Sequence, residues 1–190
     1  MIEPRPYGHQ ILPLIWVFTY KFDTDGYLAK YKARLCVRGD LQRQTIRDTY
    51  AATLAARSFR AIAALIAIFD LDAIQLDAIN TFINSELDEL VYCELPPGYQ
   101  IPGKCIRLIR ALYGLPRSPL LWLRELGKTL CKLGLTPADE DHCVYTNQYV
   151  TVIFYVDDII LLSKPQDRAQ MIQFKEALMQ TYAMREIGDV

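Results

Sequence analysis

The sequence predicts a mixed α+β fold, and three patterns carry that expectation. β-branched and aromatic residues gather in short runs between turn residues, alanine- and leucine-rich stretches recur with helical spacing, and the two kinds of segment interleave along the chain. With 190 residues, 52% of them hydrophobic, the chain can bury a sizeable core as one large domain or two closely packed lobes. Runs 15–22 and 27–37 are strand-like and flank Asp23-Thr24-Asp25-Gly26, a strong hairpin signal. Residues 51–69, rich in alanine and isoleucine, are expected to form a buried amphipathic helix beneath a sheet, ended by Asp70. Residues 71–77 alternate as a strand with Asp77 at its C-terminal end, and 83–90 read as a helical stretch. Runs 91–95 and 104–109 suit a second hairpin across the Pro/Gly loop 96–103. Pro119 fits the first turn of a helix running to about residue 133, where Gly134 ends it. Strands over 142–146, 149–156 and 159–163 follow, and Pro165 precedes a final helix over 166–182.

No uninterrupted apolar run approaches the roughly 18–20 residues of a membrane span, so no membrane partner is expected. The first residues lack the charged-then-apolar pattern of a signal peptide. Cys36, Cys93, Cys105, Cys131 and Cys143 form an odd set without a C-x-x-C pair, which argues for reduced intracellular thiols over a disulfide scaffold or zinc site. The net charge of −1 conceals strong segregation. Residues 1–60 hold ten Lys/Arg against five Asp/Glu, and 101–132 hold seven against one. Residues 61–100 hold no Lys/Arg against seven Asp/Glu, and 133–163 none against five. Metal-binding carboxylates rimmed by phosphate-facing cations would give this alternation, as would a solvated surface whose charges average out in space.

The acidic blocks contain the residues with the clearest chemistry. Asp157 and Asp158 stand side by side inside the apolar run 152–162. Two adjacent carboxylates repel, and unpaired burial costs each several kcal/mol. A hairpin that lifts both to the edge of a sheet would create a site of hard oxygen ligands suited to Mg²⁺. The competing reading is a surface turn that happens to be acidic. Asp77, at the end of a second strand, would complete the layout of a two-metal phosphoryl or nucleotidyl transfer site.

Five blocks in order carry a family resemblance. Residues 75–84, with Asp77, Asn80 and Phe82, resemble the first catalytic motif of Ty1/copia-type retrotransposon reverse transcriptases, and Tyr155-Val156-Asp157-Asp158 resembles the second. Residues 31–39, 91–99 and 111–119 match further blocks, and the likeness spans about 12–188. It implies an RNA-directed DNA polymerase domain over 1–190: a ferredoxin-like antiparallel palm sheet backed by helices (about 71–90 and 121–190) and a hairpin-rich fingers lobe (about 12–70 and 91–120). Asp77, Asp157 and Asp158 would be the catalytic, metal-holding carboxylates, with Mg²⁺ or alternatively Mn²⁺ as cofactor.

Phe82 falls where the wider family keeps an aromatic that blocks a nucleotide's 2′-hydroxyl; the alternative is ordinary packing. Lys30, Lys32 and Arg34 share a strand face by alternation and could grip the triphosphate, unless they form a solvated cationic face. Tyr113 and Gly114 match a loop that lines the nucleotide or template pocket, with core packing the rival role for Tyr113. Arg38, Arg107, Arg110 and Arg117, with Tyr155 and Val156 beside the carboxylates, are the candidate nucleic-acid contacts.

The implied partners are an RNA or DNA template–primer, a deoxynucleoside triphosphate, and the thumb and ribonuclease H parts of a polyprotein or a second subunit. The implied setting is intracellular: the cytoplasm, within a virus-like particle, or the nucleus. Three features depart from the family pattern. Ile15 and Pro116 stand where relatives often have Lys, and the sequence ends where the family continues into a primer grip and thumb, so weak hold on a duplex is expected. The alternative reading is a truncated or domesticated, catalytically inactive module that binds nucleic acid or protein. Another palm-based nucleotidyl transferase, such as a cyclase, is disfavoured by the five-block match.

Overall fold

The computed structural model describes residues 1–43 and 49–189. In chain order the strands are β1 (Ile2–Pro4), β2 (Ile11–Leu12), β3 (Leu14–Phe22), β4 (Leu28–Val37), β5 (Asp72–Ala78), β6 (Glu86–Cys93), β7 (Lys104–Arg110), β8 (Thr136–Pro137), β9 (Val144–Thr146), β10 (Val150–Tyr155), β11 (Asp158–Ser163) and β12 (Met184–Asp189). Three α-helices accompany them: α1 (Ala56–Phe69), α2 (Ser118–Lys132) and α3 (Arg168–Thr181). The fold is therefore mixed and sheet-dominated, and it divides into two compact units.

The first unit comprises Met1–Thr49 and Ser85–Leu121. It holds a four-stranded sheet in the order β1-β7-β6-β2 and a separate β3–β4 ribbon. Leu12, Leu14, Val37, Val91, Cys93 and Leu115 form its core, which takes in the root of the ribbon. At the ribbon tip the Asp23 carboxylate accepts hydrogen bonds from the N–H groups of Asp25 (3.1 Å) and Tyr27 (2.8 Å). Gly26 takes φ 84°, the left-handed conformation that this turn requires. Lys21 lies opposite Lys30, Thr19 opposite Lys32 and Val17 opposite Arg34, which puts the cations on one face as alternation predicts.

The second unit comprises Tyr50–Asn84 and Trp122–Val190. Its six strands run β12-β5-β11-β10-β9-β8, antiparallel throughout. One face carries Ile74 and Leu76 of β5 opposite Leu161 and Ile159 of β11, all buried. α3 packs on β10 and β11, with Met171, Phe174 and Leu178 buried. α2 ends as its sequence predicts: Gly134 takes φ 88°, its N–H donates to the Cys131 carbonyl, and the Leu135 N–H donates to Leu130.

Three expectations are corrected. Residues 83–90 do not form a helix. A short 3-10 turn, Thr81–Asn84, leads into β6, whose alternation from Glu86 onward suits a half-buried strand. The helix expected over 51–69 begins only at Ala56 and has no buried residue. Its half-buried positions are Ser58, Ile62 and Ile66, a single narrow stripe, while Leu65, Ile68 and Phe69 are exposed. Alanines and two arginines take most of its other positions and supply little to bury, and the larger apolar side chains there, Phe59 among them, stay exposed. Finally, β12 forms where no strand was expected. Asp70 does end α1, in a left-handed conformation at φ 48°.

The start of α1 depends on a distant residue. Ala55, its N-cap, offers no side-chain acceptor, and the Asp141 carboxylate instead accepts the Ala55 N–H at 3.0 Å and the Cys143 N–H at 3.0 Å. Burial alone would raise the Asp141 pKa; hydrogen bonds from the Ser58 hydroxyl and those two N–H groups outweigh it and hold the carboxyl below its ordinary value. A depressed carboxyl stabilises the fold above its unfolded pKa of about 3.9 and loses that contribution as pH falls through the folded value. Asp141→Ala is therefore expected to lower stability at neutral pH by about 1–2 kcal/mol, with the gap to the parent closing in acid. Urea unfolding across a pH series measures it; a gap unchanged by acid contradicts the assignment.

Candidate active site

The register of β5 on β11 places Asp77 directly opposite Asp158. Residues opposite one another in an antiparallel ladder project from one face, with Cβ atoms about 4.5–5.5 Å apart. The same row continues to Tyr155 of β10, opposite Asp158, and to Arg185 of β12, opposite Asp77. Tyr155 is exposed and Asp77 half-buried, so the row is open to solvent. Like charges facing across a ladder destabilise it, and each carboxylate here has a donor. Arg185 Nη2 donates to Asp77 Oδ2 at 2.9 Å, and Gln75 Nε2 donates to Asp158 Oδ1 at 3.2 Å.

Asp157 lies one residue before Asp158, in the two-residue loop Val156–Asp157 that joins β10 to β11. Val156 takes φ 57°. Positive φ at the first loop residue alone is the sign pattern of a type II′ turn, which ordinarily takes glycine there. A β-branched residue in that conformation is strained by about 1–2 kcal/mol. The loop is fastened from both sides. Trp122 Nε1 donates to the Val156 carbonyl at 2.7 Å, and the Ala78 N–H donates to the Asp157 carbonyl at 2.9 Å. Trp122, itself only 1% exposed, meets Tyr182 edge-on at 5.2 Å, and the Tyr182 hydroxyl lies 2.6 Å from that of Thr129. Burial, the larger influence, raises the Tyr182 pKa although the Thr129 hydrogen bond opposes it.

Asp77, Asp157 and Asp158 are thus brought to one end of two neighbouring interior strands of one sheet. Their chemistry suits a hard divalent ion, being oxygen donors with none fully buried. They do not form a closed cluster: among the described residues no group of three or more His, Cys, Asp or Glu is gathered as a metal site. Phe82 belongs to the same unit, buried in the 3-10 turn that follows β5.

The remaining candidates belong to the first unit. Lys32 and Arg34 are half-buried on β4, and the Arg34 guanidinium lies 5.9 Å from the centre of the Tyr113 ring, a cation–π contact. Gly114 takes φ 92°, and a Cβ there would stand 2.0 Å from the Val37 carbonyl oxygen, so glycine is required by backbone packing. Arg38 is held by Asp40 through two hydrogen bonds, of 2.8 and 2.7 Å. Arg107 stands 4.0 Å from Glu3, and Arg110 stands 3.9 Å from Glu86. Arg117 is 5% exposed and donates through Nε to Asp88 at 2.7 Å; its guanidinium braces β6 and does not face solvent.

Sequence reasoning missed Trp122, Gln75 and Arg185. Gln75 stands inside the first motif block but carried no role there, and nothing local marks Trp122 or Arg185; each acquires its place from a strand or turn distant in sequence.

An antiparallel sheet that presents paired carboxylates at a strained, doubly anchored hairpin defines a candidate phosphoryl- or nucleotidyl-transfer domain. Comparison with known proteins identifies the family: residues 2–190 match the profile described as reverse transcriptase (RNA-dependent DNA polymerase), and the chain belongs to that family. It is 31% identical over 193 residues to the retrovirus-related Pol polyprotein from transposon TNT 1-94 of Nicotiana tabacum, a match covering 96% of this chain and 14% of that protein. It is 30% identical over 199 residues to the Pol polyprotein from transposon RE2 of Arabidopsis thaliana, covering 100% of this chain and 14% of that protein. The truncated transposon Ty1-A Gag-Pol polyprotein of Saccharomyces cerevisiae is 29% identical over 166 residues, 86% of this chain and 13% of that protein. The chain corresponds to the copia-type reverse transcriptase region and spans about a seventh of these relatives. Among the described residues no helix is long and apolar enough to cross a membrane.

Trp122→Phe keeps an aromatic ring but leaves the Val156 carbonyl without its donor. It is expected to lower stability by about 1–3 kcal/mol, measured by urea unfolding; an unchanged midpoint would show that the turn does not depend on this bond.

Proposed function

We propose that this chain is the fingers-and-palm portion of a copia-type RNA-directed DNA polymerase and performs nucleotidyl transfer from a deoxynucleoside triphosphate to a primer 3′-hydroxyl. The observation that carries the reading is Asp77 facing Asp158, with Asp157 beside it, in a chain of the reverse transcriptase family. On this reading residues of about 71–90 and 121–190 make a ferredoxin-like palm and those of about 12–70 and 91–120 the fingers; the division into two units differs in setting 50–70 with the former and 85–90 with the latter. Asp77, Asp157 and Asp158 would hold two Mg²⁺ ions, or Mn²⁺ in their place. Bound there, divalent ions supply Lewis-acid activation of the primer hydroxyl and neutralise charge on the phosphates.

The protein's own groups have distinct tasks. Trp122 and Ala78 hold the loop, and with it Asp157, against the end of β5. Lys32 and Arg34 meet the triphosphate, with Tyr113 fixing Arg34 in direction. Arg38, Arg107 and Arg110 meet template–primer phosphates, and Tyr155 and Val156 contact the primer end. Gly114 serves the nucleotide-pocket loop by keeping its backbone close to Val37. Arg117 contributes indirectly, by positioning β6 through Asp88. Phe82 restricts the sugar by steric exclusion. The setting is the cytoplasm or nucleus, beside the other parts of a Pol polyprotein.

One observation favours the alternative of a non-catalytic binding module: Asp77 is already engaged by the Arg185 guanidinium at 2.9 Å. Primer extension on poly(rA)–oligo(dT) with Mg²⁺ or Mn²⁺ separates the two. The parent is expected to extend, and an Asp157→Asn/Asp158→Asn double variant to lose detectable extension. Equal extension by both would move the chemistry elsewhere, and none by either would favour the binding module. In the active protein, Phe82→Val is expected to raise ribonucleotide over deoxynucleotide incorporation by roughly tenfold or more; an unchanged ratio would remove Phe82 from sugar selection.

A further inference from the structure

Two carboxylates face each other across β5 and β11, and the row that contains them also contains a cation. Arg185 reaches Asp77 by register and not by chance extension, since it is the ladder partner of that residue on β12. The two donors in the row differ in kind. Asp158 is held by the neutral amide of Gln75, whereas Asp77 is held by a full positive charge at 2.9 Å. They also differ in freedom: the Arg185 side chain is 67% exposed and the Asp77 side chain 30% exposed, so the guanidinium can leave into water while the carboxylate stays. The neighbouring cation, Lys175 of α3, is engaged at 2.8 Å by Glu186, whose ladder partner, Leu76, belongs to the opposite face of the sheet.

We propose that Arg185 is the resident counter-ion of Asp77: without metal it neutralises the carboxylate and keeps it in line with Asp158, and a divalent ion must displace the guanidinium to take Asp77. The inference rests on the reading of Asp77 as a metal ligand. Guanidinium and metal ion seek the same oxygen lone pairs, so their occupancies compete. The like-charge repulsion that would turn the two carboxylates apart is relieved by one cation or the other, never by neither. Arg185 is thus a positioning residue that acts through Asp77.

The test is Mn²⁺ binding to the full chain at low ionic strength, followed by the electron paramagnetic resonance signal of the free ion. Arg185→Gln is expected to tighten binding by roughly two- to fivefold, the range an exposed ion pair can contribute. Arg185→Lys, which keeps the charge but gives up the planar fork, should fall between parent and Arg185→Gln. Lys175→Gln removes the same charge without freeing Asp77 and should leave binding unchanged. Asp77→Asn should weaken it. Unchanged or weaker binding by Arg185→Gln, with Asp77→Asn still weakened, overturns the competition alone. Equal tightening by Lys175→Gln overturns it as well, because bulk charge would then explain the gain. Binding by Asp77→Asn equal to the parent's overturns both the ligand reading and the inference built on it.

Discussion

The pairing register between β5 and β11 governs the candidate site. Side chains alternate along a strand, so a slip of one residue would send every group to the opposite face. Leu76 opposite Ile159 and Ile74 opposite Leu161 occupy the buried layer, and the same register leaves Asp77 and Asp158 on the open side. Moving either carboxylate into that layer would cost several kcal/mol, while exposing the four apolar side chains would forfeit about 1.5–3 kcal/mol each. The apolar residues thereby set the position of the charged ones. The chemistry of the acidic row is held in place by packing on the other side of the sheet.

The hairpin loop shows the same dependence from another direction. Val156 would not hold its left-handed backbone in an isolated peptide, where its branched side chain disfavours that region. Bonds to both loop carbonyls, from Trp122 and Ala78, outweigh the strain. Trp122 is in turn fixed by Tyr182, which follows α3, so the second unit's helices and its hairpin share one support. In the first unit, Gly39 and Gly114 have a comparable part. A Cβ on Gly39 would come within 2.0 Å of the Gly114 carbonyl oxygen, and only glycines let the two backbones approach so closely.

What could be read from the sequence was local. The hairpin at Asp157 (its loop one residue earlier than expected, at Val156–Asp157, with Asp158 already in β11), the Asp23–Gly26 tip, the cationic face of β4 and the Gly134 helix stop are all written within a few consecutive residues. Asp77 at a strand end was legible for the same reason. Residues 83–90 misled because an acidic run with two leucines satisfies helix propensity as well as strand alternation; β6 pairs with β7 at Glu86 and again from Val91, with an irregular stretch between. α1 misled because apolar composition says how much a helix could bury, not how much of a partner it meets. The arginines show the same limit: a basic block does not show that Arg117 is buried on Asp88, and a balanced C-terminal stretch does not show that Arg185 lies against Asp77.

The position of β12 bears on how the domain is made. β5 lies between β11 and β12, and its contacts with them bridge 83 residues (Gln75 to Asp158) and 108 residues (Asp77 to Arg185). Neither neighbour exists when β5 leaves the ribosome, and closing such long loops is slow compared with local helix or hairpin formation. During synthesis β5 therefore waits as an unpaired, largely apolar strand, open to chaperones or to mispairing. Asp77 can meet Asp158 only after the chain has been translated through β11, and Arg185 joins them only with β12. The acidic row is thus a late assembly, joined from three segments that leave the ribosome far apart in time.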